Sequence, residues 1–283
     1  MSTLAELFPD ADFRHHLTLR RGSPHEFFRN SDDSGRLLLE RRRWIQSAPR
    51  RYADLTQQGV PLLAEFLDLC GDTWNILCGP VRKNFGSGEE QHSVAVSDLE
   101  RLGGELEPDV LFLSPDENGG FRLHGGVLCF PTGWALEEKM GCSLDFIHGV
   151  VPGLNAALAA PIHQFLSKLK PGVTFQRDNW GLSASEELNQ HPSRGLPPPH
   201  APVTLNQLWL RVEHQALVAL PESKGVAFGI RVVNHRLNTL EDRGTVKGLL
   251  RALQSMPAAM AEYKRIATVR EQVVEALKVH YVL

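Results

Sequence analysis

Two apolar segments that flank a short turn constrain the fold more than any other part of this sequence. Residues 208–220 read LWLRVEHQALVAL, residues 225–233 read GVAFGIRVV, and the turn PESKG joins them. Segments rich in leucine, valine and aromatic residues on both sides of such a turn are typical of a β-hairpin. We therefore predict an antiparallel sheet, which excludes a purely alternating βαβ architecture.

Helical and strand-like patterns surround this hairpin. Residues 1–75 are predicted to be mostly helical, and the helix VPLLAEFLDLCG is expected to end at Gly71. The segments DVLFLSP, FRLHGGVLCFP and VTFQRDNWGL have strand character, whereas residues 154–169 follow helical spacing. Thr132 is expected to cap a short helix, GWALEEKMG. This order predicts an α+β fold around one sheet, in a single domain over residues 1–283.

Composition excludes several classes of function. The chain has 42% hydrophobic residues and a net charge of −3, so it has the balance of a globular protein and no basic excess for nucleic acid. It contains neither an apolar run long enough for a membrane span nor an apolar leader, which predicts a cytoplasmic protein. The cysteines lack the spacing of a metal site and are expected to be reduced thiols: Cys70, Cys78, Cys129 and Cys142.

A run of arginines is the strongest local charge feature. Arg41, Arg42 and Arg43 are predicted to surround a helix, and Arg50 and Arg51 follow them. The apolar side of that helix is predicted to consist of Leu38, Leu39, Trp44 and Ile45. Such a run is most simply a solvated helix face or a surface for a partner.

The first strand of the hairpin carries an unusual series of polar residues. Because side chains alternate between the faces of a strand, one face is predicted to hold Trp209, Arg211, Glu213, Gln215 and Leu217. The other face is apolar apart from His214, which is therefore expected to be a core or edge histidine. The polar face is either exposed to solvent or the floor of a polar pocket.

A second strand adds polar residues of its own. In QRDNWGL, alternation places Arg177 and Asn179 on one face and Asp178 and Trp180 on the other. Arg177 would bind an anionic group or form a surface ion pair. The motifs HExxH, GxSxG, GxxxxGK[ST] and GxGxxG are all absent, so zinc hydrolases, serine hydrolases and nucleotide-binding folds lack support.

His148 is the remaining candidate for chemistry. It lies among apolar residues in LDFIHGVVPG, where glycine and proline argue against regular structure. A neutral imidazole in apolar surroundings suits metal coordination, and one protein nitrogen is sufficient for haem because the porphyrin supplies the others. Lys139 and Arg177 would then pair with the haem propionates. The alternative is a buried structural histidine.

Five short phrases occur in a fixed order between residues 107 and 233: FP-x-x-W, K-x-G, IH-x-x-VPG, R-x-NW and LR-x-E-x-Q. Together they resemble the haem-dependent oxidative N-demethylase alpha-subunit family, although His214 stands where arginine is more usual and Gly149 also departs from the pattern. The resemblance implies a PAS-like antiparallel sheet over residues 107–235. A helical part, residues 1–100, would precede it, and C-terminal helices, residues 236–283, would follow it.

The resemblance also implies a chemistry. A haem b iron on His148 would use O2, and electrons from a flavin and iron–sulfur partner, to demethylate a small amine oxidatively. The phrases place Trp134, Lys139, Arg177 and Asn179 around the haem, and Arg211, Glu213 and Gln215 at the substrate. Two alternatives stay open: a haem- or ligand-binding sensor or carrier without turnover, and a haem-free relative. The substrate, the electron donor and a homo-oligomeric state are also left open.

Overall fold

The computed structural model describes residues 3–73 and 88–282, in which helices surround an antiparallel sheet. The predicted α+β class is therefore confirmed. Cys78 lies outside the described residues, and Cys129 and Cys142 are free thiols. Within the described ranges, no helix combines the length and the apolar character that a bilayer span requires.

The sheet has seven strands among the described residues, and all neighbouring strands are antiparallel. In chain order they are β1 (Arg20–Gly22), β2 (Ala53–Leu55), β3 (Asp109–Pro115), β4 (Phe121–Val127), β5 (Thr174–Ser183), β6 (Trp209–Leu220) and β7 (Gly225–Arg236). Across the sheet the order is β1-β5-β6-β7-β3-β4-β2. The predicted hairpin is the central pair β6 and β7, whereas β1 and β2, from a region predicted to be mostly helical, form the two edges.

Helices precede, interrupt and follow these strands. They are α1 (Leu4–Leu7), α2 (Pro24–Phe28), α3 (Gly35–Ser47), α4 (Pro49–Tyr52), α5 (Val60–Asp68), α6 (Gly88–Glu105), α7 (Leu144–His148), α8 (Leu154–Ser167), α9 (Arg243–Ser255), α10 (Ala258–Tyr263) and α11 (Arg270–Tyr281). A π-helical turn, Leu69–Thr73, continues α5, so the helical backbone passes through Gly71 instead of ending there.

Two local predictions between β4 and α8 are wrong. Residues 133–141 form turns and bends, so the helix predicted after Thr132 is not formed. The segment that ends at His148, predicted to be irregular, is the helix α7. Its first turn is capped by Ser143, whose hydroxyl accepts a hydrogen bond from the Phe146 amide at 3.2 Å. The cap supplies a partner for an amide that the short helix cannot satisfy itself.

Aromatic packing anchors α2 and α5 to the sheet. The rings of Phe28 and Phe66 are 5.3 Å apart, and those of Phe66 and Phe112 are 5.6 Å apart, both edge to face. Gly229 on β7 makes this approach feasible, because a Cβ there would lie 2.6 Å from the ring of Phe27. A second hydrophobic cluster packs α9 and α11 against β6 and includes Leu210, Val212, Leu249 and Leu277.

One arginine of the predicted charged run is not on the surface. Arg41 is fully buried, and its guanidinium donates to Asp109 Oδ1 at 2.7 Å and to the Gly103 carbonyl at 2.7 Å. The same carboxylate accepts from the amides of Cys129, at 2.7 Å, and Phe130, at 2.9 Å. A buried charge is tolerated when it is paired and hydrogen-bonded in this way. Arg41 and Asp109 therefore fix the chain as it leaves β4.

Candidate functional site

Strands β5 and β6 bring the polar residues of the two predicted phrases to one face of the sheet. Their register pairs Arg177 with Gln215 and Asn179 with Glu213. Directly opposed residues of antiparallel strands point to the same side, which we call the polar face. Arg211, Glu213 and Gln215 are each less than 10% exposed. The solvent-exposed alternative is therefore wrong for these three residues of β6, although Asn179 on β5 is exposed, and the floor of a polar pocket stays a prediction.

Glu213 is the centre of a hydrogen-bond network on the polar face. Its Oε1 accepts from the Thr132 hydroxyl at 2.5 Å. Its Oε2 accepts from the amides of Gln215, at 2.9 Å, and Asn179, at 3.3 Å. Three donors on two oxygens hold the carboxylate in one orientation, which is the condition for a fixed negative charge in a pocket.

Arg211 stabilises this network through its hydrogen bond to Thr132. Its Nε donates to the Thr132 hydroxyl at 2.8 Å, and its terminal nitrogens donate to the carbonyls of Phe130, at 2.9 Å, and Leu188, at 2.7 Å. Burial lowers the pKa of Arg211 to about 10, although Glu213 opposes the shift. Because these donors are bound to the protein, Arg211 orients Thr132 and Glu213 and ties the loop after β4 to the loop before β6.

Arg177 has no such set of partners. Its Nε atom is buried, and no acceptor among the described residues bonds to it. Burial lowers the pKa of Arg177, and the nearby carboxylates of Glu213 and Asp178 only partly oppose this effect. A buried donor without a partner costs free energy, and an acceptor on a bound ligand would remove that cost.

His148 ends α7 and is half-buried, next to the exposed side chains of Phe146 and Val150. Its neighbour Ile147 packs against the larger cluster, and Val151 packs against the smaller one. Burial lowers the pKa of His148 to about 4, and Arg177 adds to the shift, so the imidazole is neutral at physiological pH. Among the residues that the structure describes, none forms a hydrogen bond with the ring of His148.

Lys264, immediately after α10, is a pocket residue that the sequence did not reveal. Its ammonium donates to the Trp180 carbonyl at 2.5 Å and lies 5.1 Å from the centroid of the Trp180 ring. Burial lowers the pKa of Lys264 to about 8, a shift that Glu213 opposes and Arg177 reinforces. A lysine after a helix is common, and its proximity to Glu213 arises only from tertiary packing. Thr132 was missed as a site residue for the same reason.

The rear face of the same strands holds a buried ion network. His214 Nδ1 lies 2.6 Å from Asp178 Oδ1, and Arg20 on β1 lies 2.9 Å from Asp178 Oδ2. His214 and Asp178 are both less than 10% exposed, as the core or edge prediction for His214 requires. This network lies behind the polar face and anchors the strands that carry Arg177, Asn179 and Glu213.

A comparison with protein families gives one match over most of the chain. The family described as haem-dependent oxidative N-demethylase, alpha subunit-like, matches residues 45–274, which include α7 and both strands of the polar face. The chain belongs to this family. Its description indicates dependence on haem, and the term alpha subunit implies a partner subunit.

The residues of the pocket fit the haem that the family name indicates. A haem needs a nitrogen donor, apolar surroundings and cations for its propionates. The neutral imidazole of His148, which has no hydrogen-bond partner among the described residues, meets the first need. Ile147 and Val151, which pack against the two hydrophobic clusters, contribute to the second, and the unpartnered Nε of Arg177 meets the third. Within the described residues, no cluster of three or more His, Cys, Asp or Glu side chains is arranged to hold a metal by itself.

The family phrase FP-x-x-W…K-x-G contributes Phe130 and Thr132 to the Glu213 network, but Trp134 and Lys139 lie outside it. Trp134 is half-buried against the larger hydrophobic cluster. Lys139 places its ammonium 5.4 Å from the ring centroid of Phe146, a side chain that is 62% exposed. Among the described residues, no hydrogen bond or ion pair joins Trp134 or Lys139 to Glu213 or Arg177. The polar face therefore unites the R-x-NW and LR-x-E-x-Q phrases, and the haem-edge roles of Trp134 and Lys139 remain predictions.

Proposed function

We propose that this protein is a haem-dependent oxygenase that oxidatively demethylates a small amine, with O2 and with electrons from a partner reductase. The observation that carries the proposal is the neutral imidazole of His148, without a hydrogen-bond partner among the described residues, near an arginine whose buried Nε has no partner and which itself lies near a fixed carboxylate. In this proposal the sheet is a PAS-like core within a single domain. The family membership supports the class of reaction.

The proposal gives five residues a role in holding haem b. His148 would supply the axial nitrogen, and Arg177 and Lys139 would neutralise the propionates, while Trp134 and Asn179 would line the haem edge. Bound haem would supply the activation of O2 that the protein side chains cannot perform themselves. Ile147 and Val151, which pack against the two hydrophobic clusters, would supply apolar contacts beside the imidazole.

Glu213 would bind the substrate. A small amine is protonated near neutral pH, so a buried carboxylate with fixed orientation attracts and positions the ammonium group. Thr132, Asn179 and Gln215 hold that carboxylate in place, and Arg211 holds Thr132. Glu213 could also accept the proton that the amine must lose before its N-methyl group is oxidised.

The first test is an absorption spectrum. Protein produced with a haem precursor is expected to show a Soret band that shifts on reduction with dithionite. The variant His148→Ala is expected to lose the band or change its spin state, whereas His200→Ala, which removes an exposed histidine outside the pocket, keeps the wild-type spectrum. A colourless wild-type protein, or equal spectra for His148→Ala and wild type, would contradict the assignment of the axial ligand.

The second test separates the oxygenase from a sensor or carrier. With haem, a chemical reductant and O2, the protein is expected to release formaldehyde from dimethylamine or a related amine. Glu213→Gln keeps the size and part of the hydrogen bonding of the side chain but removes its charge. We expect it to raise KM for the amine while the Soret band is unchanged. A haem protein that releases no formaldehyde from any small methylamine would favour the sensor or carrier.

A further inference from the structure

The arginines around α3 form a strongly basic surface on an acidic protein. Residues 35–52 contain six arginines and one glutamate, which gives this segment a charge of +5 although the whole chain carries −3. Arg41 is internal, but Arg36, Arg42, Arg43 and Arg50 are exposed. Because its charge is opposite in sign to that of the whole chain, this segment creates a local positive potential at the surface.

An apolar centre distinguishes this surface from a merely solvated helix face. Leu39 is 64% exposed, and it lines a groove of about 520 Å³ together with Trp44. Arg36, Arg43 and Arg194 complete the cationic part of the groove. We call these five residues the basic patch. Exposed leucine surrounded by tryptophan and arginine is the composition of a protein–protein interface centre.

The basic patch is connected to the pocket by a loop. Arg194 forms an ion pair with Glu187, and the backbone carbonyls of Glu187 and Leu188 accept hydrogen bonds from Arg211. Arg211 in turn bonds to Thr132, which holds Glu213. The loop that contains Glu187 and Leu188 therefore contacts both the groove, through Arg194, and the polar face, through Arg211.

We propose that the basic patch docks the acidic surface of a protein electron donor. The identity of the partner as an electron donor rests on the proposed function, whereas the position and charge of the docking surface do not. Arginines attract carboxylates from a distance and pair with them in bidentate geometry at contact, and Leu39 supplies apolar area to bury.

Nucleic acid fits this surface less well. The indole of Trp44 is covered by the guanidinium of Arg194, at 4.6 Å from the ring centroid, and that of Arg43 lies 5.7 Å from it. A base that stacked on the face covered by Arg194 would have to displace its guanidinium. Glu40 and Glu187 also line the groove, so its charges are mixed, as at the polar rim of a protein–protein interface.

The test is direct binding of a plant-type [2Fe–2S] ferredoxin, used as an acidic electron-transfer probe, measured by calorimetry at about 20 mM and about 200 mM salt. We expect binding at low salt that weakens steeply at high salt. The double variant Arg36→Glu/Arg43→Glu is expected to weaken binding about 30-fold or more at low salt. Leu39→Ser is expected to weaken it several-fold at both salt concentrations.

A matched control is available at a separate groove, which Lys168 and Lys170 line. Lys168→Glu/Lys170→Glu makes the same change in net charge at two exposed lysines at the end of α8 and just beyond it. We expect this variant to bind the ferredoxin within about 3-fold of wild type, since its changes lie outside the interface. Equal losses in the two double variants would show that net charge alone acts and would overturn the proposal. Absence of ferredoxin binding at low salt, or tighter binding of a single-stranded oligonucleotide, would also overturn it.

This outcome is independent of the proposed function. The binding assay needs no turnover, so a colourless protein that binds ferredoxin through the basic patch would refute the haem assignment and retain the docking surface. A haem protein that does not bind ferredoxin would retain the haem assignment and refute the docking surface.

Discussion

Replacement of Arg177 by methionine should change the stability of the haem-free protein and its affinity for haem in opposite directions. Methionine keeps an unbranched stem of similar reach and removes both the charge and the buried Nε donor. In the haem-free protein that donor has no acceptor among the described residues, and such a donor costs about 1–3 kcal/mol. The attraction of Arg177 to Glu213 and Asp178 offsets part of this cost. We therefore expect Arg177→Met to raise the free energy of unfolding by about 1 kcal/mol.

Haem binding should respond in the other direction. If Arg177 pairs with a propionate, its removal costs a charge-assisted hydrogen bond of about 1.5–3 kcal/mol, which corresponds to a loss of affinity of about 10- to 100-fold. Urea denaturation of the haem-free protein gives the first quantity, and titration of the Soret band gives the second. Arg177→Lys, which keeps the charge but not the planar donor group, is expected to retain most of the affinity.

Arg20 provides the contrast. It is also an arginine beside Asp178, but it forms an ion pair with that buried carboxylate at 2.9 Å. Arg20→Met should therefore destabilise the haem-free protein, by about 1–3 kcal/mol, because Asp178 loses a charged partner. If Arg177→Met and Arg20→Met both destabilise the protein by more than 1 kcal/mol, the description of Arg177 as an unpartnered group awaiting a ligand is refuted.

Three further changes test other parts of the structure by urea denaturation. Thr132→Val should lower the free energy of unfolding by about 2–4 kcal/mol, since Arg211 and Glu213 each lose a hydrogen bond. Thr132→Ser keeps the hydroxyl and should retain most of the wild-type stability. A loss below about 0.5 kcal/mol in Thr132→Val would contradict the network. Asp109→Ala should cost about 3–5 kcal/mol because it leaves Arg41 charged and buried, and a normal unfolding midpoint would show that Arg41 reaches solvent. Lys264 has a folded-state pKa of about 8, below its ordinary 10.5, so protonation of Lys264 favours the unfolded state. The stability of wild type relative to Lys264→Met should therefore fall by about 2 kcal/mol as pH decreases from 10.5 to 8 and stay level below 8. A stability difference that does not depend on pH would refute the lowered pKa.

The alternation of residues predicted the polar face because it depends only on local backbone geometry. In a strand, Arg211, Glu213 and Gln215 must share one side whatever the rest of the chain does. The two phrases that hold Arg177 and Asn179, and Arg211, Glu213 and Gln215, could therefore be assigned to faces from the sequence. Their burial could not, since it depends on which segments cover the sheet.

The missed features all depend on contacts between distant parts of the chain. Arg41 is buried because Asp109, 68 positions later, meets it in the interior. Thr132 joins the site because Glu213, 81 positions later, faces it across the polar face. Lys264 reaches Trp180 across 84 positions. No local pattern distinguishes these residues from ordinary surface arginine, helix-capping threonine or surface lysine.

Because β1 is short, part of β5 is expected to open more readily to hydrogen exchange. β1 pairs with β5 only at Thr174, Phe175 and Gln176, so the rest of β5, including Arg177 and Asn179, is held by β6 on one side alone. The opening free energy of backbone amides should therefore drop along β5 after Gln176, and these amides should exchange with deuterium faster than those of β6. A ligand that bridges the exposed margin of β5 to α7 would slow that exchange and fasten this margin of the sheet.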